Sequence, residues 1–213
     1  MFILGLTGSI GMGKTTAANG FRRLGLPVHD ADARVHDLFE RDGAMIAAIG
    51  RAFGAVSNGR VDRRLLGRMV FEDPEALARL EAIVHPRVRE AHRRFLARVA
   101  RSGGTAAVLD IPLLFETGGE SLCDGIAVVS APGRVQRHRV LKRSGMTVPR
   151  LESILARQLP DSEKRARADY VIPTGLGRDL SFQVVREIAA DIRNLRGRVW
   201  SPGYGRPLGK EAR

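Results

Sequence analysis

At 213 residues the chain is long enough for one α/β domain with insertions, and it can bury a core without disulfide or metal staples. Cys123 is its only cysteine, which excludes an intramolecular disulfide and a cysteine-built zinc site and fits a reducing, cytosolic setting. The net charge is +12, yet only four of the 35 basic residues are Lys, the Arg are spread along the chain, and Tyr170, Trp200 and Tyr204 do not interleave with basic runs, so nucleic acid is not expected as a partner.

The apolar run Phe2-Ile3-Leu4-Gly5-Leu6 suits a buried strand, and it is followed by Gly8-Ser9-Ile10-Gly11-Met12-Gly13-Lys14-Thr15, a complete G-x-x-x-x-G-K-[ST] phosphate-binding loop. Thr15-Thr16-Ala17-Ala18 with Phe21 and Leu24 then reads as a helix. This order turns loop N–H groups toward a polyphosphate lying at the positive end of the helix dipole. Gly8, Gly11, Met12, Gly13, Lys14, Thr15 and Thr16 are therefore the expected nucleotide-binding residues. Lys14 can reach the β- and γ-phosphates and so act in catalysis, and the Thr15 hydroxyl is placed to ligate a bridging Mg²⁺. The glycine order is not the dinucleotide-binding G-x-G-x-x-G, which argues against a Rossmann oxidoreductase. The segment lacks a basic n-region, and no later stretch approaches ~18 uninterrupted apolar residues, so neither a signal peptide nor a membrane span is expected.

Leu26-Pro27-Val28 leads into His29-Asp30-Ala31-Asp32, a second short strand ending in acids. Ligands of open α/β sheets gather at strand C-termini, which suits Asp30 and Asp32 to meet the loop's ligand; Asp32 is equally suited to cap a helix over Ala33 to Glu40. From about Ala44 to Arg101 an all-helical insertion is predicted, with Met45, Ile46, Ile49 and Phe53 at helical spacing, a turn at Ser57-Asn58-Gly59, and Leu65, Leu66 and Met69 beyond it. Asp73-Pro74-Glu75 starts a further helix, and Pro86 predicts a break at His85 with a new helix from Pro86.

Ala106 to Ile111 is the next strand; its Asp110 has the form of a Walker B carboxylate that holds Mg²⁺ directly or through water. Gly125 to Val129 is a fourth strand, and Pro132 opens a helix carrying Gln136, Arg137, Arg139, Lys142 and Arg143, a basic run whose plain reading is a solvated face. Residues 144–165, polar and helical in outline and running through Gln158 and Lys164, are suited to form a short mobile hairpin over the phosphates. Ala168 to Ile172 supplies a fifth strand, Phe182 to Ile192 a last amphipathic helix, and the Pro/Gly-rich end beyond Trp200 reads as loose.

A GTPase should carry N-K-x-D and D-x-x-G, and Asn19, Asn58 and Asn194 are not followed by Lys; a helicase should be longer. A kinase of a small acceptor remains. The ordered set Gly5-Leu6-Thr7-Gly8, Asp30-Ala31-Asp32, Asp62-Arg63-Arg64-Leu65, Phe71-Glu72-Asp73-Pro74, His85-Pro86-Arg87-Val88-Arg89, Pro112-Leu113-Leu114-Phe115-Glu116 and Ala168-Asp169-Tyr170-Val171-Ile172 resembles the dephospho-CoA kinase family from Leu4 to about Ile192. The resemblance implies a P-loop NTPase fold with a five-stranded parallel sheet flanked by helices, and ATP-dependent phosphorylation of the ribose 3′-hydroxyl of dephospho-CoA. Residues 1–33, 104–142 and 166–200 are then the nucleotide-binding core, 34–103 the helical acceptor domain, 143–165 the lid and 201–213 a flexible tail. It implies Asp32 as general base, His85, Arg87, Arg89 and Leu113 on the acceptor, and Gln136, Arg139 and Arg143 at the family's recurring Gln and Arg positions before and within the lid, the two guanidinium groups on the transferring phosphoryl. Two departures stand out: Thr174 where the family commonly has Asn, and Met12 where it usually has Ser. A nucleoside-monophosphate or other small-hydroxyl kinase and a non-catalytic ATP-binding module are the alternatives, and monomer and weak homo-oligomer both stay open.

Overall fold

The computed structural model describes residues 1–71 and 73–201, so Glu72 and the expected loose end from Pro202 onward lie outside the described residues. The chain opens with β1 (Phe2–Thr7), α1 (Lys14–Arg23) and β2 (Val28–Asp30). It continues through α2 (Ala31–Arg41), α3 (Gly43–Phe53), β3 (Val56–Ser57), β4 (Arg60–Val61), α4 (Arg63–Phe71) and α5 (Pro74–Arg101). β5 (Ala106–Asp110), β6 (Gly125–Ser130), α6 (Gly133–Leu141), α7 (Val148–Ala156), α8 (Asp161–Ala166), β7 (Tyr170–Pro173) and α9 (Arg178–Asn194) complete it. Of the described residues, 1–29 and 96–201 form one compact unit and 30–95 a second.

The first unit holds a five-stranded parallel sheet in the order β2-β5-β1-β6-β7. β1 and β5 are buried along their whole length, as strands covered on both faces must be, which is why their sequences are apolar runs without alternation. Leu6 of β1 lies opposite Asp110 of β5, and Thr7 opposite Val128 of β6, so the phosphate loop leaves the sheet beside the acidic end of β5. α1 and α9 pack together on the sheet through Phe21, Val185, Ile188 and Ile192, joined by Leu4 and Leu6. A Cβ on Gly20 would stand 3.1 Å from Val185 Cγ1, so the small residue permits the close helix approach.

The second unit is nucleated by aspartate caps. Asp30, Asp42, Asp62 and Asp73 each accept the backbone N–H three residues on, at 2.9 Å, and so start α2, α3, α4 and α5. Its core is Leu38, Met45, Ile49, Phe53, Val61 and Leu66. Four expectations need correction. The cap of α2 is Asp30, and Asp32 is instead the second helical residue. The insertion is not all-helical: the turn at Asn58 and Gly59, both at positive φ, closes a β3–β4 hairpin too short to leave a periodic signal. There is no break at His85, because α5 runs on through Pro86. Proline removes one intrahelical hydrogen bond, and a 28-residue helix with apolar contacts on both sides of it outlasts that loss. Pro132 likewise precedes α6 as its N-cap residue rather than opening it.

Candidate active site

The loop between β1 and α1 has the geometry its letters require. Gly11 and Gly13 take φ of 78° and 95°, in the left-handed region that side chains avoid, and Gly13 is the N-cap of α1. Space forbids a side chain as well: a Cβ would come to 2.4 Å from Val140 Cγ2 at Gly11, and to 2.3 Å from Val129 Cγ2 at Gly8. No side chain caps α1 and its first turn holds no acid, so the helix presents its positive end and its leading N–H groups to an anion. Thr15 and Thr16 are exposed on that turn. Met12 is buried, with its sulfur 3.2 Å from the Ala131 N–H, so the residue that replaces the usual Ser faces the protein interior.

Lys14 Nζ donates to Asp110 Oδ1, joining the loop to the end of β5. Asp110 is buried, and an unpaired carboxylate there would be costly. Arg139 of α6 donates through Nη1 to Thr174 Oγ1 at 3.2 Å and through Nη2 to the Thr174 carbonyl at 2.6 Å. The Thr174 hydroxyl in turn donates to the Met12 carbonyl. Thr174 therefore ties the guanidinium to the top of the loop from the position where Asn is usual, and a Cβ on Gly13 would come to 3.2 Å from it. Beside these residues lies a cavity of about 480 Å³ lined by Thr16, Asn19, Arg23, Thr174, Arg178 and Phe182, with the Arg23 guanidinium 4.9 Å from the Phe182 ring centroid.

The remaining expected residues are distributed between the units. Arg143 is exposed just beyond α6, and Leu113, at 40% exposure, follows β5 in the first unit. Asp32, His85, Arg87 and Arg89 belong to the second unit and are exposed, the first on α2 and the others on α5. Arg87 Nη1 stands 3.8 Å from Asp42 Oδ2. Among the described residues no group of three or more His, Cys, Asp or Glu is arranged to hold a metal.

The family model for dephospho-CoA kinase matches residues 2–176. The chain belongs to the dephospho-CoA kinase family. A dephospho-CoA kinase of Paramagnetospirillum magneticum is 63% identical over 166 residues, 78% of each chain, and one of Rhodopseudomonas palustris is 52% identical over 89% of this chain and 95% of its own. Among solved structures, a Thermus thermophilus protein superposes with a TM-score of 0.77 at 38% identity, covering 92% of this chain and 98% of that one.

In this dephospho-CoA kinase family member the resemblance already pointed to Gln136, whereas the contacts of Gln158, Glu116 and Lys164 escaped sequence reasoning. Gln136 Nε2 donates to the Ile10 carbonyl at 2.8 Å, and the Ile10 N–H donates to Gln158 Oε1 at 3.1 Å, so two glutamines hold the loop's apex. Glu116 Oε1 accepts from the Leu159 N–H at 2.9 Å and lies 2.7 Å from Lys164 Nζ. Burial pushes the Glu116 carboxyl up, but Lys164 and the N–H groups of Glu116 and Leu159 outweigh it and hold the group below its ordinary value. Glu116 was visible as the last letter of Pro112-Leu113-Leu114-Phe115-Glu116; nothing local pointed to its partner.

Proposed function

We propose that the chain transfers the γ-phosphoryl group of ATP to the ribose 3′-hydroxyl of dephospho-CoA, giving coenzyme A and ADP. The observation that carries this reading is the uncapped α1 N-terminus with Lys14 bonded to Asp110, in a chain whose relatives are named for that reaction. The loop N–H groups and Lys14 bind and orient the polyphosphate, and the cavity beside Thr16 and Thr174 takes the nucleoside. Arg139, and Arg143 from the lid of residues 143–165, stabilise charge on the transferring group. Asp32 accepts the proton of the attacking hydroxyl, while His85, Arg87, Arg89 and Leu113 bind the acceptor. A cytosolic location fits this reading and the single buried thiol.

The donor set fits Mg²⁺. Thr15 offers a hydroxyl at the start of α1 and Asp110 a carboxylate at the end of β5, both hard oxygen ligands, and Mg²⁺ is ordinarily held by one or two protein oxygens together with substrate phosphates. When bound, the ion neutralises charge between the β- and γ-phosphates. The deciding experiment measures ADP formation from ATP and Mg²⁺ with dephospho-CoA or adenosine monophosphate as acceptor. Stimulation by dephospho-CoA alone is expected; none from a folded, ATP-binding preparation defeats the reading.

A further inference from the structure

Ile10 is held on both sides of its backbone by amide side chains, Gln136 from α6 and Gln158 from the link between α7 and α8. The link is itself fixed. Leu159, next after Gln158, donates its N–H to Glu116, and Lys164 of α8 pairs with the same carboxylate oxygen. Lys164 is 0% exposed although the other residues of α8 are exposed or half-buried. Asp161, the first residue of α8, accepts from Ser130 Oγ at 2.7 Å. The segment after α7 is thus fastened to chain leaving three strands: to the loop after β1 through Ile10, to the turn after β5 through Glu116, and to the end of β6 through Ser130.

A buried ion pair contributes little net stability, because desolvating both charges costs about as much as their attraction returns. Its attested use is to fix register. Here the register is that of Gln158 against the phosphate loop. The Ile10 N–H belongs to the loop that cradles the polyphosphate, and a glutamine accepts that N–H without setting a negative charge beside the phosphates, as a glutamate would.

We propose that Gln158 is a positioning residue for phosphoryl transfer, its Oε1 on the Ile10 N–H holding the phosphate loop in register with the 143–165 segment, and the Glu116–Lys164 pair holding Gln158. The inference rests on the kinase reading above. It predicts opposite consequences for two substitutions. Gln158→Ala removes the acceptor, and a misplacement of about 1 Å suffices to slow transfer by up to ~10²-fold. Gln158→Glu keeps an acceptor for Ile10 but adds a charge that repels the nucleotide.

Steady-state ADP formation with Mg²⁺, ATP and dephospho-CoA tests this on wild type, Gln158→Ala and Gln158→Glu, with melting temperatures alongside. Gln158→Ala should lower kcat by about 10- to 100-fold with the KM for ATP within about threefold of wild type. Gln158→Glu should hold kcat within about threefold and raise the KM for ATP by about tenfold. The proposal is overturned by an alanine variant whose kcat stays within about twofold, or by a glutamate variant that loses as much kcat as alanine does. Should the alanine variant fail to fold, the glutamate variant decides by its split between kcat and KM. A wild-type enzyme without dephospho-CoA-dependent turnover defeats the kinase reading instead, so the two failures are distinct.

Discussion

Lys14 and Asp32 carry different burdens in the proposed reaction, and substitution should separate them. Lys14 leads α1 and is bonded to buried Asp110, so removing it takes away a cation on the polyphosphate and breaks the link between the loop and the end of β5. Lys14→Ala should therefore weaken nucleotide binding and transfer together. Asp32 stands on α2 in the second unit, where Asp30 already caps the helix, so Asp32→Asn removes no cap. As the general base it should lose ~10²–10⁴-fold in kcat with ATP affinity nearly unchanged. Measured by single-turnover transfer and nucleotide titration, a near-wild-type rate would remove Asp32 from the chemistry. At this scale the phosphate loop was legible because its requirements are local: left-handed glycines, an uncapped helix start and a lysine at fixed spacing. Thr174 was visible only as a departure from the usual Asn, because its bonds to Met12 and Arg139 span 162 and 35 residues. Gln158 was likewise plain as a polar letter and opaque as a contact, since Ile10 is 148 residues away.

Among the elements, α5 shows where local rules give way. Its start at Asp73-Pro74 was readable from cap chemistry, since Asp73 does accept the Ala76 N–H. The break expected at His85 did not form, because a proline's cost is borne by the whole helix and its packing rather than by one turn. The sheet strands were readable as apolar runs bounded by Gly, Pro or Asp, whereas two-residue strands such as β3 and β4 carry no period to read. The same helix holds a titratable group that links its packing to pH. His92 is 4% exposed, and burial lowers its pKa from 6.5 to about 4. The unfolded chain binds this proton as pH falls through 6.5, while the folded chain does so only near 4. Stability from a neutral His92 is therefore complete above about pH 6.5 and declines below it, reaching a loss of about 2 kcal/mol at pH 5. Urea titrations at pH 7 and pH 5 should show His92→Leu losing less stability than wild type between the two; equal losses would mean that His92 takes up its proton in the folded state at its ordinary pKa.

Across the whole molecule, nucleotide binding and folding meet at Cys123. The thiol is buried and its Sγ lies 3.8 Å from the Gly119 carbonyl oxygen, and burial pushes its pKa up to about 12. It also sits against the strand that feeds the phosphate loop, since a Cβ on Gly5 would stand 2.8 Å from Sγ and 2.7 Å from Leu114 Cδ1. On this packing, separation of β1 from the turn after β5 would expose the thiol, and that opening is expected to disturb the phosphate loop that β1 feeds. Because Cys123 is the only cysteine in the sequence, labelling by an aromatic disulfide reports that opening with no second signal. A ligand that binds only the closed form slows the opening by the factor 1 + [L]/Kd. ATP and Mg²⁺ at a hundred times their Kd should then slow labelling by about 100-fold, or about 2.7 kcal/mol. Lys14→Ala, with its weakened nucleotide binding, should lose most of that protection at the same ATP concentration while keeping slow labelling without nucleotide. Labelling of wild type that ignores bound ATP would show instead that residues 119–125 open alone, with the loop intact, and would uncouple the thiol from the nucleotide site.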